Sequence, residues 1–88
     1  MNQQRKSDVK DIRNELNKMK GALDGLKERL ESVKNDEQEA IDDLPESLQD
    51  SEKEADMEDA IAEMDDAISS IDEVLNSLDD ALSSLDGL

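Results

Sequence analysis

Residues 59–86 read DAIAEMD-DAISSID-EVLNSLD-DALSSLD, four near-copies of one seven-residue unit. From Met57 to Leu85, apolar side chains recur in alternating steps of four and three. This spacing gathers them on one stripe of an α-helix, as in coiled coils, and the short period indicates one long helix rather than a solenoid. In heptad notation, position a holds Ile61, Ile68, Leu75 and Leu82, and position d holds Met57, Met64, Ile71, Leu78 and Leu85.

The first half of the chain keeps the same period. Its position a holds Val9, Leu16, Leu23 and Leu30, and its position d holds Ile12, Met19, Leu26 and Val33. With 34% hydrophobic and 41% charged residues, composition alone would also fit a disordered chain, but disorder gives no reason for an unbroken heptad. We therefore expect both stripes, including the methionines on them, to form a helical core.

The segment between the two stripes, DDLPESLQDS at residues 42–51, carries turn signals. Pro45 is the only proline, and the residue before a proline is biased away from helical geometry. Ser51 followed by Glu54 forms a capping box, in which the serine caps the next helix and the glutamate reaches back to the cap. The sequence predicts a helix at about 7–42, a turn at about 43–50 and a helix at about 51–86.

Charges beside the stripes predict how the two helices pair. Position e of the first helix is basic throughout, and position e of the second is acidic throughout; the residues are Lys6, Arg13, Lys20, Lys27 and Lys34, and Glu58, Asp65, Asp72, Asp79 and Asp86. These rows face each other in an antiparallel pair, with Val9 opposite Leu85 and Lys20 opposite Asp72. Exposed ion pairs stabilise weakly, so the rows mainly specify register. The predicted fold is an all-α antiparallel two-helix hairpin.

A two-helix layer buries little, and a chain of 88 residues has a small core. Position g of the second helix widens its apolar face with Ala60, Ala67, Val74 and Ala81. We therefore expect these residues to form a dimer interface and two hairpins to form a four-helix bundle. The alternative is a monomeric hairpin in which the alanines only allow close packing of its own two helices.

Composition excludes several kinds of chemistry. The chain has no Cys, His, Phe, Trp or Tyr, which removes disulfides, Cys/His zinc sites, histidine catalysis and base stacking on aromatic rings. No calcium-loop spacing or glycine-rich phosphate loop occurs, so we expect no catalytic residues, no cofactor and no specific metal site. A net charge of −16 disfavours binding to nucleic acid or anionic membranes. With no apolar signal region after Met1, we expect a location in the cytosol.

The charge is unevenly distributed. Residues 1–34 contain nine basic and six acidic residues, whereas residues 35–88 contain twenty acidic residues and only Lys53 as a base. Position f of the second helix and the turn supply acidic residues away from the predicted seam; we single out Asp42, Asp43, Glu46, Asp59, Asp66, Glu73 and Asp80. Two interpretations remain open: a solubilising surface, or a surface that imitates nucleic-acid phosphates and binds a basic cleft.

The turn adds a resemblance. DEQEAIDDLPESLQDSE at residues 36–52, followed by Met57-Glu58-Asp59-Ala60-Ile61, resembles a group of small acidic helical proteins encoded by phages, prophages and mobile elements of Gram-positive bacteria. Ile41 stands where those relatives often carry an aromatic residue. The resemblance implies a mobile-element context and, with it, an inhibitor or modulator of a host defence or nucleic-acid-binding protein. A dimeric scaffold is the alternative. Secreted hairpins with a Trp-x-Gly turn fit the length but not the sequence, which has no Trp.

Overall fold

The first helix, α1, covers Gln3–Asp42 in the computed structural model, which describes residues 1–88. Its start lies before the expected position near residue 7 because Asn2 caps it: the Asn2 side-chain oxygen accepts a hydrogen bond from the backbone N–H of Arg5 at 2.8 Å. This bond satisfies one of the free N–H groups of the first turn. Asp43 is the C-cap of the helix, and its N–H donates to the carbonyl of Glu39 at 3.0 Å.

The connection is a short, hydrogen-bonded turn. After Pro45, which lies in extended backbone (φ −57°, ψ 150°), a 3₁₀ turn covers Glu46–Leu48. Asp50 adopts φ 60°, a left-handed conformation that aspartate tolerates better than most residues. The proline and this left-handed residue together reverse the chain within the expected segment.

The second helix, α2, covers Glu52–Asp86. Ser51 is its N-cap, as the sequence indicated: the hydroxyl accepts from the N–H of Glu54 at 3.3 Å and donates to the carbonyl of Leu48. The glutamate of the expected capping box makes a different bond. Its Oε2 accepts from the N–H of Asp50 at 2.5 Å rather than from Ser51, whose own N–H is occupied by the carbonyl of Leu48.

The two helices pack against each other along their length, which confirms the all-α hairpin. The molecule measures 70 × 15 × 13 Å, and its radius of gyration is 20.1 Å. A compact chain of this length would have a radius of gyration of about 12 Å. The hairpin is therefore a rod one helix layer thick, in which each helix has only one neighbour. Neither helix is long and apolar enough to cross a lipid bilayer.

Val9 and Leu85, an expected core pair, line the same depression at the open end of the hairpin. The expected pairing of Lys20 with Asp72 was wrong: Lys20 contacts Asp79, and Asp72 contacts Lys27. Side chains on a helix lean toward its N-terminus. In an antiparallel pair both partners lean in opposite directions along the rod, so each lysine meets the aspartate one heptad further along α2.

Burial is concentrated on α2. Leu75 is the only buried residue of the chain, with 8% of its surface exposed, and the other a and d residues of α2 are half-buried. On α1 the a residues are half-buried, but the expectation that its d residues also form the core was wrong. Ile12, Met19, Leu26 and Val33 are 49–55% exposed. The basic side chains cause this, because Arg13, Lys20, Lys27 and Lys34 occupy the contact with α2 and are half-buried themselves.

Candidate functional site

A row of carboxylates lies on the side of α2 that faces away from α1. The sequence singled out this row, which we call the acidic ladder: Asp59, Asp66, Glu73 and Asp80. Successive members are seven residues apart, or about 10.5 Å along the helix. All four are exposed, and none lies within ion-pair distance of a lysine or arginine. The ladder is therefore a free anionic surface.

The turn continues this negative surface at one end of the rod. Asp42, Asp43 and Glu46, which were expected to contribute, are all exposed and have no cationic partner. The Asp42 carboxylate only accepts a hydrogen bond from the Gln38 amide at 3.2 Å. A second acidic depression lies beside the α2 cap, lined by Asp50, Ser51, Glu54, Ala55 and Glu58. No three carboxylates converge as ligands of a metal ion would.

Another acidic row of α2 is neutralised by α1. Four ion pairs join the helices: Arg13–Asp86 at 3.1 Å, Lys20–Asp79 at 2.5 Å, Lys27–Asp72 at 2.5 Å and Lys34–Asp65 at 2.7 Å. The pairs recur every seven residues, so they lie on one side of the seam and fix the register. The remaining acidic residue of the row, Glu58, has no cation opposite it, because the matching α1 position holds Ile41.

Two of these pairs affect the protonation of the lysines. The hydrogen bond from Lys20 to the Asp79 carboxylate, followed by its Coulomb attraction, raises the pKa of Lys20 above its ordinary value of 10.5. The bond from Lys27 to Asp72 likewise raises the pKa of Lys27, against a smaller opposing effect of desolvation. Both lysines therefore stay charged throughout the neutral range, and the row they neutralise stays neutralised.

The charge that remains on α2 can be compared with that of nucleic acid. This helix holds thirteen acidic residues and Lys53, and four of the acidic residues are paired with α1. About eight net negative charges are left over a length of about 52 Å, or one charge per about 6–7 Å. One strand of B-DNA carries one charge per about 3.4 Å. The free surface of α2 thus has about half the linear charge density of a DNA strand.

The apolar surface is divided between the two helices. Of the expected dimer-interface residues, Ala67 and Val74 are exposed, whereas Ala60 and Ala81 are half-buried in the hairpin. The exposed d residues of α1, which we call the outer row (Ile12, Met19, Leu26 and Val33), were not expected at a surface. The signal that could have revealed them was the basic e row: long side chains that reach across the seam take the space beside the a residues.

The chain matches no protein family model, no characterised protein and no solved structure at a significant level. The resemblance of the turn to small acidic proteins of phages and mobile elements consequently stays a prediction.

Proposed function

We propose that the chain is a non-enzymatic interaction protein that binds a basic surface of another protein through the acidic ladder and the turn. Its partner would be a host defence or nucleic-acid-binding protein that it inhibits or modulates in the bacterial cytosol. The observation that carries the proposal is the placement of the charge. Four of the nine cations of α1 are paired with carboxylates of α2, and the four free carboxylates of the acidic ladder follow one side of α2.

Electrostatics decides what such a surface can do. A regular array of carboxylates raises the local concentration of a basic partner and speeds association, and both effects weaken with salt. At half the linear charge density of a DNA strand, the free carboxylates of α2 compete for a cleft that holds nucleic-acid phosphates without copying the spacing of those phosphates. The proposed action is therefore competition for a basic cleft, with no direct contact between this chain and nucleic acid.

A first experiment compares two quadruple variants with the same net charge. In one, the ladder residues Asp59, Asp66, Glu73 and Asp80 become Lys; in the other, four exposed acidic residues of α1, Asp8, Asp11, Asp24 and Glu28, become Lys. Circular dichroism checks that both remain helical. The unaltered chain and each variant are then used to capture proteins from a bacterial lysate at 0.1 M salt. Captured proteins that bind a labelled DNA duplex are tested for displacement from that duplex by the unaltered chain and by each variant.

We expect the ladder variant to lose capture and competition, and the α1 variant to keep both. Raising the salt to 0.5 M should release the captured protein, since the screening length there is only about 4 Å. If the ladder variant binds as well as the unaltered chain, the acidic ladder is not the binding surface. Equal loss in both variants would show that net charge, not its placement, drives the contact.

A second proposed function, a homodimeric scaffold in a four-helix bundle, is favoured by the exposed apolar side chains. The outer row of α1 and Val74 are about half exposed although each has apolar neighbours that are covered. Binding to a partner through such a surface would persist at 0.5 M salt, because burial of apolar area is not screened. The salt response of a captured protein therefore separates the two functions.

A further inference from the structure

We propose that the outer row is the contact surface for a second copy of the chain, which lies antiparallel on α1 about a two-fold axis near Ala22. The inference deepens the proposed homodimer by assigning it a surface and a symmetry, and it does not depend on the acidic ladder. It starts from the outer row itself. Ile12, Met19, Leu26 and Val33 repeat every seven residues along α1 and stay 49–55% exposed. An exposed apolar stripe with this seven-residue repeat has the geometry that packs against another helix in coiled coils.

Surface area sets the size of the missing contact. The hairpin exposes 6391 Å². A compact monomer of 9.8 kDa exposes about 5,200 Å², so this chain exposes about 1,200 Å² more than a compact fold of its mass. A stable protein interface removes about 800 Å² from each partner. One contact of this size along the rod would make up about two-thirds of the excess exposed area.

Charge selects the kind of partner. The ion pairs hold the e rows on one side of the seam, so the d row of α1 and the g row of α2 lie together on the other side. Along this side, between Ile12 and Val33, the flanking charges are Glu15, Lys18, Arg29 and Glu63, two of each sign. The central part of this surface is therefore neutral on a chain of net charge −16. A neutral patch suits another copy of the same acidic chain, whereas a basic partner is attracted to the ladder.

Symmetry of the patch selects the orientation. If two copies stack with their α1 helices antiparallel, Met19 lies beside Leu26 of the second copy and Ile12 beside its Val33. The same arrangement brings Glu15 level with Arg29 of the second copy, twice. Arg29 has no carboxylate partner within the hairpin. A parallel arrangement would instead place Arg29 against Arg29 and Glu15 against Glu15, which is repulsive.

The second helix fits the same axis. The axis crosses α1 near residues 22 and 23, and the register expected from the heptads pairs Leu23 with Ile71. Ala67 and Val74 are the exposed members of the g row, and they lie on either side of Ile71. In the antiparallel stack each Val74 therefore meets Ala67 of the second copy. At the axis itself the side chain is small, because Ala22 lies on it.

The first test is the mass in solution by sedimentation equilibrium. We expect about 20 kDa for the unaltered chain, twice its 9.8 kDa. The double variant Met19→Glu with Leu26→Glu should fall to about 10 kDa while its helicity is kept, because both positions are exposed in the hairpin. A matched control adds the same charge elsewhere, Ser69→Glu with Asn76→Glu on the exposed surface of α2, and should remain dimeric.

The second test is a single cysteine, which is unambiguous because the chain has none. Ala22→Cys should form a disulfide-linked dimer on mild oxidation, since both sulfurs lie at the axis. Gly21→Cys, one residue away and turned from the contact, should not. A monomer at all concentrations overturns both the dimer and its surface. A dimer that survives Met19→Glu with Leu26→Glu, or that is not linked through Ala22→Cys, overturns only the surface proposed here.

Salt separates this inference from the acidic-ladder function. Two chains of charge −16 repel each other, so screening should increase the dimer fraction between 0.02 and 0.5 M salt. Binding of a basic partner through the ladder should weaken over the same range. A dimer that dissociates as salt rises would contradict an apolar contact on a neutral patch.

Discussion

The two helices carry the same heptad pattern, yet the hairpin covers them differently. On α2 both apolar rows are shielded, and Leu75 is the one buried residue of the chain. On α1 only the a row is shielded, while the d row is about half exposed. A stripe of helix wider than one neighbour can cover needs a second neighbour. The heptad pattern therefore indicates which apolar rows need to be buried. The charges beside those rows decide which of them are buried within the hairpin.

The free charge also differs between the two helices. Four cations of α1, namely Arg13, Lys20, Lys27 and Lys34, reach across the seam and pair with carboxylates of α2. The carboxylates of α2 exceed the cations available, and the excess points away from the seam. The helix α1 therefore supplies most of the exposed apolar surface, and α2 together with the turn supplies most of the free anionic surface. These are the two surfaces on which the proposals for this chain rest.

The largest expected effect tests the difference between the two apolar rows. Leu75→Ala should lower the free energy of unfolding by about 2–3 kcal/mol, the low end of the range for buried leucines, because its surroundings are only one layer deep. Leu26→Ala removes the same atoms from the outer row and should cost less than about 0.5 kcal/mol. Urea unfolding followed by circular dichroism measures both.

This comparison requires chain concentrations low enough for the hairpin to be monomeric. At higher concentrations the Leu26→Ala loss should grow, because the proposed dimer covers Leu26, while the Leu75→Ala loss should change little. Equal losses at high dilution would mean that α2 covers both rows of α1. A Leu26→Ala loss that is small at every concentration would show that nothing covers the outer row.

Much of the fold could be predicted because it depends on local chemistry. Each signal can be recognised within a few consecutive residues, and together they predict both helices and the turn. The signals are the heptad steps, Pro45 and the Ser51 cap. The opposed charges of the e rows also indicated the antiparallel pairing. The exposure of Met19 and Leu26 could not be predicted in this way. It depends on how far α1 rotates about its own axis to accommodate Lys20 and Lys27 at the contact with α2. That rotation is a balance between side-chain packing and ion pairing across two helices.

The candidate surfaces divide along the same line. The acidic ladder could be predicted, because position f of a helix points away from any partner at a and d. The pairing of Lys20 with Asp79 rather than Asp72 could not be predicted from heptad positions alone, because it depends on the lean of long side chains along the rod. The outer row was missed because its exposure depends on the rotation of α1 against α2.

A smaller loss of stability is expected when the N-cap of either helix is replaced, and the loss should differ between the two helices. Ser51→Ala should cost about 1 kcal/mol, since the hydroxyl both accepts from Glu54 and donates to Leu48 at the junction of turn and helix. Asn2→Ala removes a cap of similar chemistry from the free end of α1 and should cost only a few tenths of a kcal/mol, because helix ends without tertiary contacts fray anyway. Thermal unfolding of the two variants gives the comparison.

Replacing Ser51 with Asp tests whether the cap itself is responsible. Aspartate also accepts hydrogen bonds from the first turn and suits the positive end of the helix dipole, so it should recover most of the loss. If Asp fails to recover it, the lost bond to the Leu48 carbonyl, which aspartate cannot donate, dominates. Equal losses for Ser51→Ala and Asn2→Ala would contradict the view that the turn is the more firmly held end.

The smallest effect concerns the ion pairs and appears at alkaline pH. The pKa values of Lys20 and Lys27 are raised by hydrogen bonds to Asp79 and Asp72. A group whose pKa is higher in the folded state contributes stability that is fully present below its unfolded pKa and is lost as pH rises through the folded value. The contribution should therefore hold up to about pH 10.5 and disappear above it. We expect the unfolding temperature to fall by only a few degrees over that range.

Arginine separates this titration from general alkaline damage. The double variant Lys20→Arg with Lys27→Arg keeps both charges well above pH 11, so it should retain more of its unfolding temperature there than the unaltered chain. Lys18→Arg is the matched control, because Lys18 contacts only Glu15 within α1 and joins nothing across the seam. If Lys18→Arg protects the hairpin as well as the double variant does, loss of total charge, and not of the pairs between the helices, governs the alkaline transition.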